Sequence, residues 1–142
     1  MLKKLITCTT CLLISTTTFS AKWEIFDLSD HFIIYVDTES LNVDSNSNMV
    51  THWYKAVARK NLFEEKIYKG DFSVAYQVVD CTNKTLATKS NTDYKANGSV
   101  KESENFEKLS FEHIIPDSIG EIFLDLCESK PNVGHKTHKI DI

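Results

Sequence analysis

The cysteines are the residues of this 142-residue chain whose chemistry is most tightly constrained. Cys8 and Cys11 lie in a predicted signal peptide, so a CxxC redox motif is not expected in the mature protein. Cys81 and Cys127 then remain as an even pair in an exported chain, and an oxidising compartment favours a disulfide between them. Two free buried thiols are the alternative. A bridge would close a loop of 46 residues, worth about 4 kcal/mol at most in the chain-entropy model.

The remaining polar residues do not form a catalytic or metal-binding motif. His31, His52 and His113 fall on separate predicted strands, and the sequence does not show that any two converge. His135 and His138 are three residues apart, but no carboxylate or thiolate ligand is fixed beside them, so they are a weak metal pair. A glycine-rich phosphate loop, HExxH and GxSxG do not occur. We therefore predict no enzyme, no cofactor and no metal, and we assign no ligand-binding residues.

The N-terminus has the features of an export signal. A basic start precedes an apolar run, residues 5–14, that is too short to anchor the chain stably in a bilayer. Small residues predict cleavage after Ser20, with Ala21 as the next choice. Lipidation of Cys8 or Cys11 is the alternative, although too little apolar sequence precedes either residue. The protein is thus expected in the periplasm, on the cell surface or secreted.

The mature chain is predicted to be a single acidic domain. Loss of the two lysines of the signal peptide, residues 1–20, changes the formal net charge from −4 to −6. This charge argues against nucleic acid, heparin or anionic lipid as a bulk electrostatic partner, although a local basic patch remains possible. The length predicts one domain, residues 21–129, followed by a flexible tail, residues 130–142. No further segment is apolar for long enough to cross a membrane.

The pattern of apolar and aromatic residues predicts an antiparallel sheet of about six strands. Turn residues separate these strands, and Asn97-Gly98 is the strongest hairpin signal. The predicted strands are residues 22–28, 31–37, 49–58, 72–81, 86–95 and 99–106. Residues 111–115 are expected to be a further strand or an extended lead into the helix.

The strand at residues 49–58 is expected to be covered on both sides. Alternation places Trp53 and Met49 on one side and His52 and Tyr54 on the other, and neither side is cleanly polar. One face should meet a helix. The other should present aromatic residues to a protein partner or to a second subunit.

The connection at residues 59–71 is charged and ends near Gly70. Tyr68 lies in it between Lys66 and Lys69. This mixed tip could bind a ligand, but a solvated loop is the simpler interpretation.

The segment that contains the last cysteine predicts an amphipathic helix. Pro116 ends the preceding strand, and Ser118 with Glu121 three residues later forms a capping box. An apolar stripe at i, i+3, i+4 and i+7 follows, and Cys127 falls on the same stripe. The stripe consists of Ile119, Ile122, Phe123 and Leu126. Such a helix would lie against the sheet with its cysteine directed inward, toward Cys81.

Three motifs in this order carry a resemblance to a known family. They are an aromatic corner, a strand that ends in a cysteine, and a Pro-x-Ser helix that ends in a cysteine, here Tyr35, Asp37, Ser40 and Leu41, then Cys81, then Pro116, Ser118 and Cys127. From Lys22 to Cys127 the chain resembles the surface-adhesin protein E family of exported bacterial proteins.

The resemblance implies an α+β fold and an adhesive function. The expected fold is one antiparallel sheet of about six strands, with a C-terminal helix packed across one face and tied by the disulfide. The implied partners are host cells and matrix proteins such as vitronectin and laminin. A periplasmic structural, interaction or inhibitor-type protein is the alternative, and a homodimer through the sheet face is possible.

Overall fold

A computed structural model describes residues 20–128 and contains one antiparallel sheet of eight strands and two short helices. The strands are β1 (Trp23–Leu28), β2 (Phe32–Asp37), β3 (Asn42–Asp44), β4 (Met49–Ala58), β5 (Phe72–Asp80), β6 (Thr85–Tyr94), β7 (Val100–Asn105) and β8 (Glu112–His113). The helices are α1 (Ile119–Ile122) and α2 (Asp125–Glu128). The prediction of about six strands was therefore too low. β3 was not expected, because its three residues are too few for an alternating pattern to be recognisable. β8 lies within residues 111–115, where a strand or an extended lead into the helix was expected.

The six long strands form the sheet in the order β1-β2-β4-β5-β6-β7. β2 pairs with residues 54–58 of β4, and β3 pairs with residues 49–51 of the same strand. β6 is shared in the same way, because β7 pairs with residues 90–94 and β8 with residues 85–86. Each short strand thus extends an edge where a long neighbour has ended.

Two irregularities in register alter which way side chains point. Between Ile25 and Asp27 the pairing of β1 with β2 shifts, so Phe26 is an extra residue. In β6, Ser90 pairs with Tyr76 and Thr88 pairs with the next residue of β5, so Lys89 is an extra residue there. Such β-bulges bend a strand locally and redirect side chains.

The predicted hairpin between β6 and β7 is confirmed. Gly98 has a φ of +84°, a conformation that an L-residue adopts only with strain. The Lys95 N–H donates to the Ser99 carbonyl at 2.8 Å and closes the turn. The Asn-Gly signal therefore marks the correct position of this turn.

The C-terminal helix is shorter than predicted. Instead of one helix to Cys127, the structure has two four-residue helices separated by Phe123 and Leu124. A segment this short, with Gly120 inside it, has little intrinsic helix stability. Its apolar stripe is nevertheless partly used, because Phe123 and Leu126 are buried whereas Ile119 is exposed.

The capping box forms only in part. Ser118 occupies the N-cap position of α1, but its hydroxyl donates to the Ile115 carbonyl at 2.6 Å instead of accepting from the helix. Glu121 does reach back, and its carboxylate accepts the Asp117 N–H at 2.7 Å. Asp117 has a φ of +62°, so the chain enters the helix through a tight turn that directs the Ser118 side chain away from it.

The hydrophobic core lies between one face of the sheet and the two helices. Its fully buried members are Ile34, Val36, Val50, Val79, Phe123 and Leu126. Cys81 and Cys127 form a disulfide beside this cluster, with their Cα atoms 5.7 Å apart. The bridge therefore joins the end of α2 to the residue that follows β5.

Several predictions fall on residues outside the described range. They concern the signal peptide with Cys8 and Cys11, and the C-terminal tail with His135 and His138. Within residues 20–128, no helix has both the length and the apolar character required to span a membrane.

Candidate binding face

The two sides of β4 have different environments. Val50 and His52 are completely buried beneath the helices, whereas 36% of Trp53 is exposed. Two alternative aromatic surfaces were predicted, one with Trp53 and one with Tyr54 and His52. The structure leaves the Trp53 side open and covers the other side with Phe123.

Four aromatic rings and two lysines lie together on the open side of the sheet. Strand pairing places Tyr35 opposite Lys55, and Trp53 opposite Tyr76. The Trp53 and Tyr76 ring centroids are 5.1 Å apart. We call this surface the aromatic face; it consists of Trp23, Tyr35, Trp53, Lys55, Tyr76 and Lys89.

Each lysine of the aromatic face is held above an aromatic ring. The Lys55 ammonium lies 4.9 Å from the Trp23 ring centroid and 5.0 Å from that of Tyr35. The Lys89 ammonium lies 5.8 Å from the Tyr76 ring centroid. These are cation–π distances, and the attraction restricts where each ammonium group can move. The extra position of Lys89 in the bulge of β6 allows it to reach the Tyr76 ring.

The central rows of the aromatic face are free of carboxylates. Two rows of residues cross the described strands in register. The row of Lys55 consists of Ile25, Tyr35, Val74, Thr92 and Ser103. The row of Trp53 consists of Tyr76, Ser90 and Asn105. Asp37 lies next to Trp23 in the register, but it is buried, and its carboxylate accepts the Lys22 and Glu39 N–H groups. The face therefore combines aromatic surface with positive charge, in a protein that is acidic as a whole.

Among the described residues, no hydrogen-bond partner orients His52 for catalysis. Its ring lies 4.7 Å from the Phe123 ring, and neither ring nitrogen has a hydrogen-bond partner among the described residues. Burial lowers the pKa of His52 to about 4, so the imidazole is neutral at physiological pH. Burial likewise raises the pKa of the neighbouring Tyr54, with a smaller contribution from Asp93. His52 is a packed core residue.

The other histidines of the described range are exposed. His31 precedes β2, and His113 lies in β8. Within residues 20–128, no three histidine, cysteine, aspartate or glutamate side chains are grouped so that they could hold a metal ion.

The sequence indicated Trp53 but not its neighbours. The alternation in residues 49–58 separated Trp53 from His52 and Tyr54 but left open which side meets the helix. The register of β2, β4 and β5 was needed to bring Tyr35 and Tyr76 beside Trp53. Lys55 was visible on the same side of the strand. Lys89 could not be assigned because a bulge leaves no signal in an isolated sequence.

A comparison with known protein families matches almost all of the described residues. Residues 23–127 match one family model, from Trp23, the first residue of β1, to the bridge cysteine Cys127 in α2. This match and the fold define a surface-adhesin-like binding domain. One face of its sheet packs against helices that a disulfide holds in place, and the other face is open. The chain belongs to the surface-adhesin protein E family.

Solved structures give weaker likenesses. Crystal form II of Haemophilus influenzae protein E is 17% identical, with a TM-score of 0.44, over 72% of this chain and 90% of that one. Protein E from non-typeable Haemophilus influenzae is 15% identical, with a TM-score of 0.40, over 72% of this chain and 76% of that one. No curated protein matches the chain.

Proposed function

We propose that this chain is an exported, non-enzymatic domain that binds a protein partner outside the cell through its aromatic face. Membership of an adhesin family supports an adhesive role, and host-cell or matrix proteins are the partners expected for such a role. The observation that carries the proposal is the pair of Trp53 and Tyr76 on the side of the sheet opposite the helices, next to Lys55.

The composition of the aromatic face is that of a protein-binding surface. Tyrosine and tryptophan are enriched in interface cores and dominate binding energy when a partner excludes water from them. Lysines are usually depleted there, but Lys55 lies over two rings, so its aliphatic stem covers apolar surface while its charge stays near the rim. The face is thus suited to a partner with apolar side chains at the centre and carboxylates at the edge.

A binding assay with a matched control tests the proposal. The purified mature protein would be titrated against immobilised matrix proteins, including vitronectin and laminin, at physiological salt. We expect saturable binding that Trp53→Ala/Tyr76→Ala weakens by about tenfold or more, because each removes an interface ring. The control Phe106→Ala/Phe111→Ala removes two exposed rings elsewhere and should bind like the wild type. No saturable binding to any matrix protein would contradict the adhesive role.

Location and oligomeric state provide two further tests. Adhesion requires the protein on the cell surface or in the medium, so its exclusive recovery from the soluble periplasm would favour a periplasmic interaction protein instead. A second copy could also cover the aromatic face. Sedimentation of a wild-type dimer that Trp53→Ala/Tyr76→Ala converts to monomer would identify that face as a homodimer interface.

A further inference from the structure

The connection between β4 and β5 is built as a miniature hairpin. Leu62 and Ile67 exchange backbone hydrogen bonds of 2.8 and 3.1 Å. Lys66 has a φ of +56°, and its N–H donates to the Phe63 carbonyl at 3.2 Å across the turn. The Lys69 N–H donates to the Asn61 side chain at 2.8 Å. Because these backbone groups are paired, residues 59–71 have a defined shape and are not simply a solvated loop.

One carboxylate fastens this hairpin to the turn between β6 and β7. Only 6% of Asp71 is exposed, and it accepts hydrogen bonds from the Tyr68 N–H at 3.1 Å, the Ala96 N–H at 3.0 Å and the Lys101 ammonium at 3.1 Å. Burial alone would raise the pKa of Asp71, but these hydrogen bonds and the charge of Lys101 outweigh it and lower the pKa. The Lys101 ammonium also donates to the Lys66 carbonyl at 3.0 Å. The two segments therefore form one unit.

This unit presents two aromatic rings that the fold does not cover. Phe63 is 73% exposed and Tyr68 is 51% exposed, and their rings meet edge to face with centroids 6.4 Å apart. Four exposed lysines belong to the same two segments. We call this surface the basic tip; it consists of Lys60, Phe63, Lys66, Tyr68, Lys69 and Lys95.

Charge is concentrated at the basic tip. Residues 59–71 and 94–101 contain six basic and three acidic residues, a net charge of +3, although the whole chain has −4. Asp71, one of the three acids, is already engaged with Lys101 and two backbone N–H groups. The local basic patch that the acidic composition left possible is therefore present.

We propose that the basic tip binds a sulfated polysaccharide chain. Sulfate groups repeated along a polymer match several lysines spread over two segments, and release of the polymer's counterions favours such binding. A notch of about 390 Å³ adjoins Tyr68 and is lined also by Asp71, Lys95, Ala96, Asn97 and Lys101. The Asp71 carboxylate in this lining is already engaged by the Lys101 ammonium and two backbone N–H groups. Its size is in the range of small-ligand pockets, and its ring, amide and ammonium groups suit a charged sugar residue.

The arrangement disfavours an anionic bilayer as the ligand. Glu64 and Glu65 are exposed and directly follow Phe63 in the turn. Insertion of the Phe63 ring into a bilayer would bring both carboxylates close to lipid phosphates, at a cost in electrostatic repulsion. A polysaccharide can instead follow the lysines and leave the two glutamates in water.

Binding of the full mature protein to heparin, as a sulfated probe, tests this proposal. We expect an affinity that falls steeply with salt, and Lys66→Gln/Lys69→Gln/Lys95→Gln should weaken it by about tenfold or more and reduce the slope of log affinity against log salt by about 2. The control Lys84→Gln/Lys136→Gln/Lys139→Gln removes the same charge, including the clustered lysines of the C-terminal tail. It should bind like the wild type.

Further probes identify the ligand class. Phe63→Ala/Tyr68→Ala should weaken heparin binding without a change in the salt slope, and N-desulfated heparin should bind weakly. The proposal would be overturned by an absence of heparin binding, by equal losses in the two lysine variants, or by stronger binding to polyglutamate or anionic vesicles. Trp53→Ala/Tyr76→Ala should leave heparin binding unchanged. A failure of the heparin proposal can therefore be distinguished from a failure of the proposed protein-binding role.

Discussion

The two faces of the sheet use the same kinds of residue for opposite purposes. On the covered face His52, Tyr54 and Phe123 pack together, with ring centroids of His52 and Phe123 only 4.7 Å apart. On the open face Trp53 and Tyr76 are 5.1 Å apart, but lysines lie over the rings instead of a helix. Aromatic content therefore does not distinguish core from binding surface in this protein. What distinguishes them is whether a further layer of structure excludes water.

The comparison predicts unequal stability effects on the two faces. Phe123→Ala should lower the free energy of unfolding by about 4 kcal/mol, since it removes a fully buried ring and leaves a cavity between the sheet and the helices. Trp53→Ala should cost less, about 2 kcal/mol, because part of its ring already lies in water and no layer of structure closes over it. Urea unfolding of the oxidised mature protein measures both. Equal losses would mean that the open face is also part of the core.

Removal of the bridge tests how strongly the covered face depends on its covalent tie. Cys81→Ser/Cys127→Ser should lower the free energy of unfolding by at most about 4 kcal/mol, since the unfolded chain regains the freedom of the closed loop. The melting temperature should fall by several degrees. Reduction of the wild-type protein should give the same shift. The bridge would be contradicted if the double variant melted at the same temperature as the wild type in oxidising buffer, or if intact mass showed free thiols in the wild type.

Acid should weaken the covered face through His52. Its folded pKa of about 4 lies below the unfolded value of 6.5, so the unfolded chain takes up this proton first as the pH falls. The free energy of unfolding should therefore decrease between about pH 6.5 and pH 4, by roughly 3 kcal/mol in total, and this contribution should level off below pH 4.

Two variants isolate this effect. His52→Leu should flatten the decrease above pH 4.5 and should not destabilise the protein at pH 7, because the buried ring nitrogens have no partners to lose. The exposed His113→Gln should keep the wild-type profile. Carboxylates with lowered pKa values contribute at more acidic pH, where protonation removes their stabilisation; they are Asp44, Asp71 and Asp80. A flat wild-type profile between pH 6.5 and 4.5 would rule out the sealed environment of His52.

The sequence predicted the long strands well because their residues alternate. Residues 49–58 were expected as a strand, and the structure has β4 over the same residues. The strand-ending Cys81 and the inward Cys127 were expected near each other, which requires only that the helix crosses the sheet. These features follow from local periodicity and from the chemistry of an exported cysteine pair.

Contacts between distant segments were beyond the sequence. Asp71 meets Ala96 and Lys101, which are 25 and 30 residues away, and nothing in either segment indicates the other. Tyr68 was noticed between two lysines, but only the structure shows that Phe63 and Lys95 belong to the same surface. The helix was predicted too long because an apolar stripe indicates which residues are buried more reliably than where helical hydrogen bonds end.

The extra residue at Phe26 also limits how far the sheet can grow. An incoming extended chain would have to match the unpaired donors and acceptors of β1, but the bulge breaks their regular spacing in the middle of the strand. At the opposite edge, β7 carries one lysine and two glutamates among six exposed residues; they are Lys101, Glu102 and Glu104. The protein can therefore keep an aromatic sheet surface uncovered without inviting edge-to-edge polymerisation between its own copies.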